Sequence, residues 1–209
     1  TMTEFLRYLF NLLAEHDPET PLQPVYGITG RTALDESEVE SLAGYRGMGP
    51  VRLGNDAFRQ KQHDVYGATI LAATQSFFDS RMIQPGREQD FVRLEALGDY
   101  SARLYDQPDA GPWEYRGRAM THTYSSVMCW AGCDRLARIG RRLGLEDRAR
   151  YWDEQAERKS FALMTRVREG VPKIVASVKQ RAFGRTDDQY HTDRPIRVLH
   201  QTQQRAFQR

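Results

Sequence analysis

An all-α fold built of repeated helical hairpins is what this sequence predicts. Three observations carry that reading: apolar residues recur at 3.6-residue spacing in five separate segments, strand-like alternation is nearly absent, and Gly/Pro/Asp clusters fall between the helical segments. At 209 residues the chain is long enough to bury a substantial core.

The first helix is expected over Thr3 to Glu15, where Phe5, Leu6, Leu9, Phe10, Leu12 and Leu13 share one side and Asp17-Pro18 ends the pattern. Some forty Gly- and Pro-rich residues follow, a length that points to function in a connection. Within them LQPVYGI and PVRLG each have the character of a short strand. A second helix is expected to open at Asn55 or Asp56 as N-cap and to carry Phe58, Val65, Ile70, Leu71, Phe77 and Phe78. The third spans Glu88 to Leu104 with Phe91, Val92, Leu94, Leu97, Tyr100 and Leu104 inward, and the loop DQPDAGPWEYRGRAM follows it. A fourth runs from Ser125 to Leu143; its last turn holds Arg141 and Arg142 ahead of Gly144, as a helix C-terminus prefers. The fifth begins near Glu146. Tyr124 and Trp130 are expected in the core, and Cys129 and Cys133 as small apolar residues on a buried face.

Charge divides the chain. Of 30 Lys+Arg and 28 Asp+Glu, residues 1–159 hold 20 and 24, and residues 160–209 hold 10 and 4. Nucleic-acid binding by a basic domain therefore finds no support in the body and would have to rest on the tail alone. From about Ser160 the helical period fades and six glutamines appear, so 160–209 reads as a basic tail, disordered or out of frame, beside a packed body of 1–159. The opening residues read as a helix already under way, and thus as a cut start with no secretory leader. No apolar run approaches the roughly 20 residues of a membrane span. Two cysteines build neither a disulfide framework nor a zinc set, which leaves a reduced, cytoplasmic setting as the expectation and no metal or cofactor.

The most informative loop is Gly111-Pro112-Trp113-Glu114. An indole beside a carboxyl group offers a stacking surface for a sugar ring and an apolar neighbour able to raise an acid's pKa. Taken alone, the dipeptide better describes a Trp anchoring a loop with an exposed Glu beside it. Two wider blocks decide between these: Gly44-Tyr45, Pro50 to Asn55 and Gln62, Asp64, Tyr66, Gly67; then Gly111 to Glu114, Thr123 to Ser125, Met128 to Trp130 and Asp134-Arg135. In this order they resemble the catalytic domain of glycoside hydrolase family 15, the glucoamylase-like enzymes that include some trehalases. The resemblance covers about residues 5 to 158; Met48 and Ala68 depart from the family pattern.

What the resemblance implies is an incomplete (α/α)6 barrel, six-hairpin in its full form, with the site in loops at one end. Glu114 is then the general acid of an inverting, exo-acting α-glycosidase. Trp113 lines a sugar subsite, and Asn55, Gln62 and Asp64 are expected to contact hydroxyls. The substrate is an α-glucoside oligosaccharide or trehalose, with no nucleic-acid or membrane partner. Inversion also needs a carboxylate base about 6.5–9.5 Å from the acid. The family takes it from a later hairpin that has no match here, and Asp187 and Asp188 lack its surroundings, so the chain is expected to be inactive as it stands. Unpartnered helix faces would favour self-association. His122 is either a hydrogen-bonding neighbour of the acid or, preferred, a helix-entry residue. The alternative function is a non-catalytic helical module recruiting an acidic partner through its basic tail.

Overall fold

A computed structural model describes residues 2–165, apart from 18, 83, 116, 161 and 164. Five α-helices dominate the described residues: α1 (Met2–Glu15), α2 (Asp64–Phe78), α3 (Glu88–Leu104), α4 (Thr123–Arg142) and α5 (146–160). The only sheet among the described residues is a two-residue antiparallel pair, β1 (Ser37–Glu38) with β2 (Arg52–Leu53), in the register Ser37↔Leu53. The fold is thus all-α, as the periodicity implies, and its hairpins are those of an (α/α)6 fragment.

The core forms where α2, α3, α4 and α5 meet, around Ile70, Phe91, Leu94, Leu136, Ile139 and Trp152, all fully buried. α2 and α4 lie in backbone contact. A methyl group built on Gly67 of α2 would stand 1.9 Å from the Met128 carbonyl oxygen of α4, so only a residue without Cβ permits this approach. Tyr66 and Tyr100 stack at 4.8 Å between centroids and join α2 to α3. The Asp90 carboxylate accepts the Arg87 N–H at 3.0 Å and starts α3. α4 stops where Gly144 adopts φ +75° and the Leu145 N–H reaches back to the Gly140 carbonyl at 2.9 Å.

Several expectations need correction. LQPVYGI is loop, while PVRLG supplies β2. Residues Asp56–Arg59 form a 3-10 turn capped by Asn55, whose side chain accepts the Ala57 N–H at 3.0 Å; the chain is then extended at Gln60, and the α-helix opens only at Asp64. Val92 and Tyr124 are exposed and not inward; in both cases the helical stripe is narrower than the apolar sequence suggests. Trp130 is partly buried against the core, and both cysteines are fully buried. Helical residues continue past 159, at 160, 162, 163 and 165, with Lys159 and Leu163 buried. Nearly all of 160–209, including Asp187 and Asp188, lies outside the described residues. No described helix is long and apolar enough to cross a membrane.

Candidate active site

The loop between α3 and α4 is closed at its base by Asp109 and Met120, whose backbones exchange two N–H···O bonds of 3.0 Å each. Above that closure, Gly111 takes φ +65°, and the His122 ring also fills the space a Cβ would need, with ring atoms at 2.5 and 2.6 Å from it, so both conformation and room call for glycine. The Glu114 N–H then closes a turn on the Gly111 carbonyl at 3.2 Å. Glu114 itself sits at φ +52°, an uncommon region for a residue with a side chain. Trp113 is 74% exposed at the tip of the turn.

Glu114 borders a pocket of about 250 Å³ together with Asn55, Asp56, Ala57, Gln60 and Gly117. A relay of two amides supports it from below. Gln62 Nε2 donates to Gln60 Oε1 at 3.1 Å, and Gln60 Nε2 donates to the Glu114 carbonyl oxygen at 3.2 Å. One residue on, the Ala110 N–H donates to the Lys61 carbonyl at 2.9 Å. The segment 60–63 and the acid loop are therefore laced together rung by rung, which explains why Gln60 is extended and not helical.

Of the residues singled out from sequence, Glu114 and Asn55 share the pocket and Trp113 stands exposed next to Glu114. Gln62 and Asp64 lie beneath, at 6% and 9% exposure. Burial, followed by the charge of Asp109, pushes the Asp64 carboxyl above its ordinary range. His63, also buried, is held below the usual histidine value by loss of solvent. His122 makes no side-chain cap on α4 and packs its ring on Gly111.

Two residues near the site were missed. Gln60 ties directly to the Glu114 backbone. Asp109, 1% exposed, accepts the His63 backbone N–H at 2.8 Å and the Ser125 hydroxyl at 2.7 Å, both on Oδ2. The only local signal for Asp109 is an aspartate two residues before the Gly of the acid turn, which reads as a loop residue. Among the described residues no three His, Cys, Asp or Glu side chains converge as a metal set. A larger concavity, of about 590 Å³, lies between α1 and residues including Met82, Gln84, Asp90 and Arg93, and is bordered neither by Glu114 nor by any residue of its pocket.

The model of glycosyl hydrolases family 15 matches residues 5–189. The trehalase of Mycobacterium tuberculosis is 37% identical over 139 residues, 66% of this chain and 20% of the relative. The trehalase of Mycolicibacterium smegmatis is 32% identical over 155 residues, 74% of this chain and 23% of the relative. Trehalase 1 of Sulfolobus acidocaldarius is 32% identical over 118 residues, covering 56% and 21%. The chain thus spans about a fifth to a quarter of the length of these curated relatives. No solved structure matches it.

Proposed function

This chain belongs to glycosyl hydrolases family 15, and on that membership we propose that it carries the proton-donating half of an inverting, exo-acting α-glycosidase site whose substrate is trehalose or a related terminal α-glucoside. The observation that carries the reading is the placement of Glu114 on the rim of a polar pocket shared with Asn55, held in a left-handed conformation by a braced loop. The names of the relatives, all trehalases, support trehalose over longer glucans.

In this reading the Glu114 carboxyl gives its proton to the glycosidic oxygen as the bond to the departing sugar breaks. The exposed Trp113 face stacks on a sugar ring, where amphipathic aromatic surfaces suit alternating C–H and O–H edges. Asn55 contacts a hydroxyl from the opposite side of the pocket. Gln62 and Asp64 support this wall from beneath. Water must be activated by a second carboxylate on the far face of the sugar. Asp56, the other carboxylate bordering the pocket, accepts the Glu36 N–H at 3.3 Å and neighbours Arg59, and we assign it no such part. One carboxylate cannot protonate the leaving group and activate water together, and none of the described residues is assigned the second part, so in this reading the described residues bind sugar without turning it over. The second reading, a non-catalytic module with a basic recruiting tail, rests on residues 160–209 and gains nothing from the described ones.

Trehalose, maltose and isomaltose, offered to the chain in binding and hydrolysis assays, test this. Expected are weak binding, several-fold weaker still in Trp113→Ala for the loss of about 1 kcal/mol of stacking, and no hydrolysis. Turnover that Glu114→Gln abolishes would uphold the acid and overturn the missing base. Absence of any binding at about 10 mM sugar, a free energy under roughly 3 kcal/mol, would sink the glycosidase reading.

A further inference from the structure

The acid turn is exposed, but its foundation is not. Backbone and amide bonds tie it to residues 60–63, and one side chain links it both to that segment and to the first turn of α4. Asp109 is almost wholly buried, and its Oδ2 accepts from two elements at once: the His63 backbone N–H just ahead of α2, at 2.8 Å, and the Ser125 hydroxyl in the first turn of α4, at 2.7 Å. Its own backbone closes the loop on Met120, and the next residue, Ala110, bonds to Lys61. Its other oxygen, Oδ1, has no hydrogen-bond partner among the described residues. A buried carboxylate normally has both oxygens engaged. One that uses a single oxygen for a donor just ahead of α2 and another in the first turn of α4 is placed for joining them.

We infer that Asp109 is the positioning residue of the acid loop: its carboxylate sets the loop on the starts of α2 and α4 and thereby fixes where Glu114 stands relative to Asn55. This rests on the glycosidase reading for what the loop does, but the geometry of the clamp is independent of any sugar. The clamp requires an acceptor at the Oδ2 position and no charge. Asparagine can place its amide oxygen there and its NH2 at the unpartnered Oδ1 position, so Asp109→Asn retains the clamp and Asp109→Ala loses it. Ser125→Ala removes one of the two donors and leaves the other.

The chain has three tryptophans, of which Trp113 reports the loop while Trp130 and Trp152 report the core. In the full chain labelled with fluorotryptophan, with Trp113 assigned by Trp113→Phe, the 19F resonance of Trp113 is expected to shift in Asp109→Ala and to a smaller degree in Ser125→Ala. The resonances of Trp130 and Trp152 stay in place, and Asp109→Asn restores that of Trp113. Amide exchange gives a second reading: Ala110 and Met120 exchange at least about tenfold faster in Asp109→Ala, a factor equivalent to about 1.4 kcal/mol, with Leu94 and Leu136 unchanged. Should Asp109→Ala fail to fold, Ser125→Ala and Asp109→Asn carry the same comparison.

Three results overturn the inference: a Trp113 resonance that does not move, three resonances that move together with the core amides, or an asparagine variant that behaves like alanine. Because none of these measurements contains sugar, a chain that shows the expected pattern yet binds no trehalose keeps the clamp and loses the glycosidase reading.

Discussion

Gln60 and Glu114 stand 54 residues apart and are joined by a hydrogen bond from Gln60 Nε2 to the Glu114 carbonyl oxygen, 3.2 Å long. The bond is made to the backbone of the acid and leaves its carboxyl untouched. A neutral side chain thus orients the turn without altering the charge of the group that the turn presents.

Gln60→Ala is expected to lower global stability by at most about 1 kcal/mol, since a partly solvated hydrogen bond contributes little net. Urea titration of the two chains should show a small drop in midpoint and no change in slope. A loss several times larger would mean that the 60–63 segment, and not the helices, organises the fold.

Gly67→Ala is expected to be far more damaging. Its methyl group would meet the Met128 carbonyl at 1.9 Å, and backbone cannot rotate away as a side chain can. Gly98→Ala meets the Leu136 and Trp152 side chains at 2.3 and 2.5 Å, where some repacking is open. Overpacking costs about 1–3 kcal/mol in typical cores. Thermal melts should place Gly98→Ala in that range and Gly67→Ala above it or unfolded.

Asp64 gives a pH dependence of defined sign. Burial raises its folded value above the ordinary 3.8, so over the window between the two the folded chain binds more protons than the unfolded one. The stability tied to this group is complete below 3.8 and declines as pH rises through the raised value. His63 acts in the opposite sense: held below 6.5, it gives stability that is present above 6.5 and is lost as pH falls through its lowered value. Subtracting the Asp64→Asn curve from the parent isolates the aspartate. The difference should slope downward with pH in the acid window and be flat near neutrality.

Glu95 and Glu88 both face Arg148, with different consequences. Glu95 lies mostly covered, accepts Arg148 Nε at 3.0 Å and also accepts the indole N–H of buried Trp152 at 2.8 Å. Glu88 is 63% exposed and makes one contact of 3.2 Å. Glu95→Ala leaves a buried N–H without its acceptor and is expected to cost about 2 kcal/mol, against less than about 0.5 kcal/mol for Glu88→Ala. Equal denaturation midpoints for the two variants would contradict this.

The helices were legible because their signals are local. For α3 the apolar period, the acidic first turn and the Pro/Asp/Gly loop beyond it fix Glu88–Leu104 without knowledge of any neighbour. The start of α2 was not, since what ends the 3-10 turn at Gln60 is a set of bonds to residues 109–114, invisible to a window along the chain. Glu114 and Asn55 were singled out separately through their motifs, and only the fold sets them on one pocket, whereas Asp109 was passed over because a buried loop aspartate and a solvated one look alike until the fold closes over it. Tyr124 was misread for a related reason: its helix is buried on one side only, and an aromatic near the N-terminus of that helix falls outside the stripe.

The two thiols on the inner face of α4 have a practical consequence. Cys129 and Cys133 are fully buried, and burial pushes them up to about 12 and about 11 respectively. A maleimide or disulfide reagent at neutral pH therefore finds almost no reactive thiolate in the native molecule and two ordinary ones once it opens. The chain carries its own stopwatch, and the rate at which it takes up such a label measures how often α4 leaves its seat, with no engineered probe required.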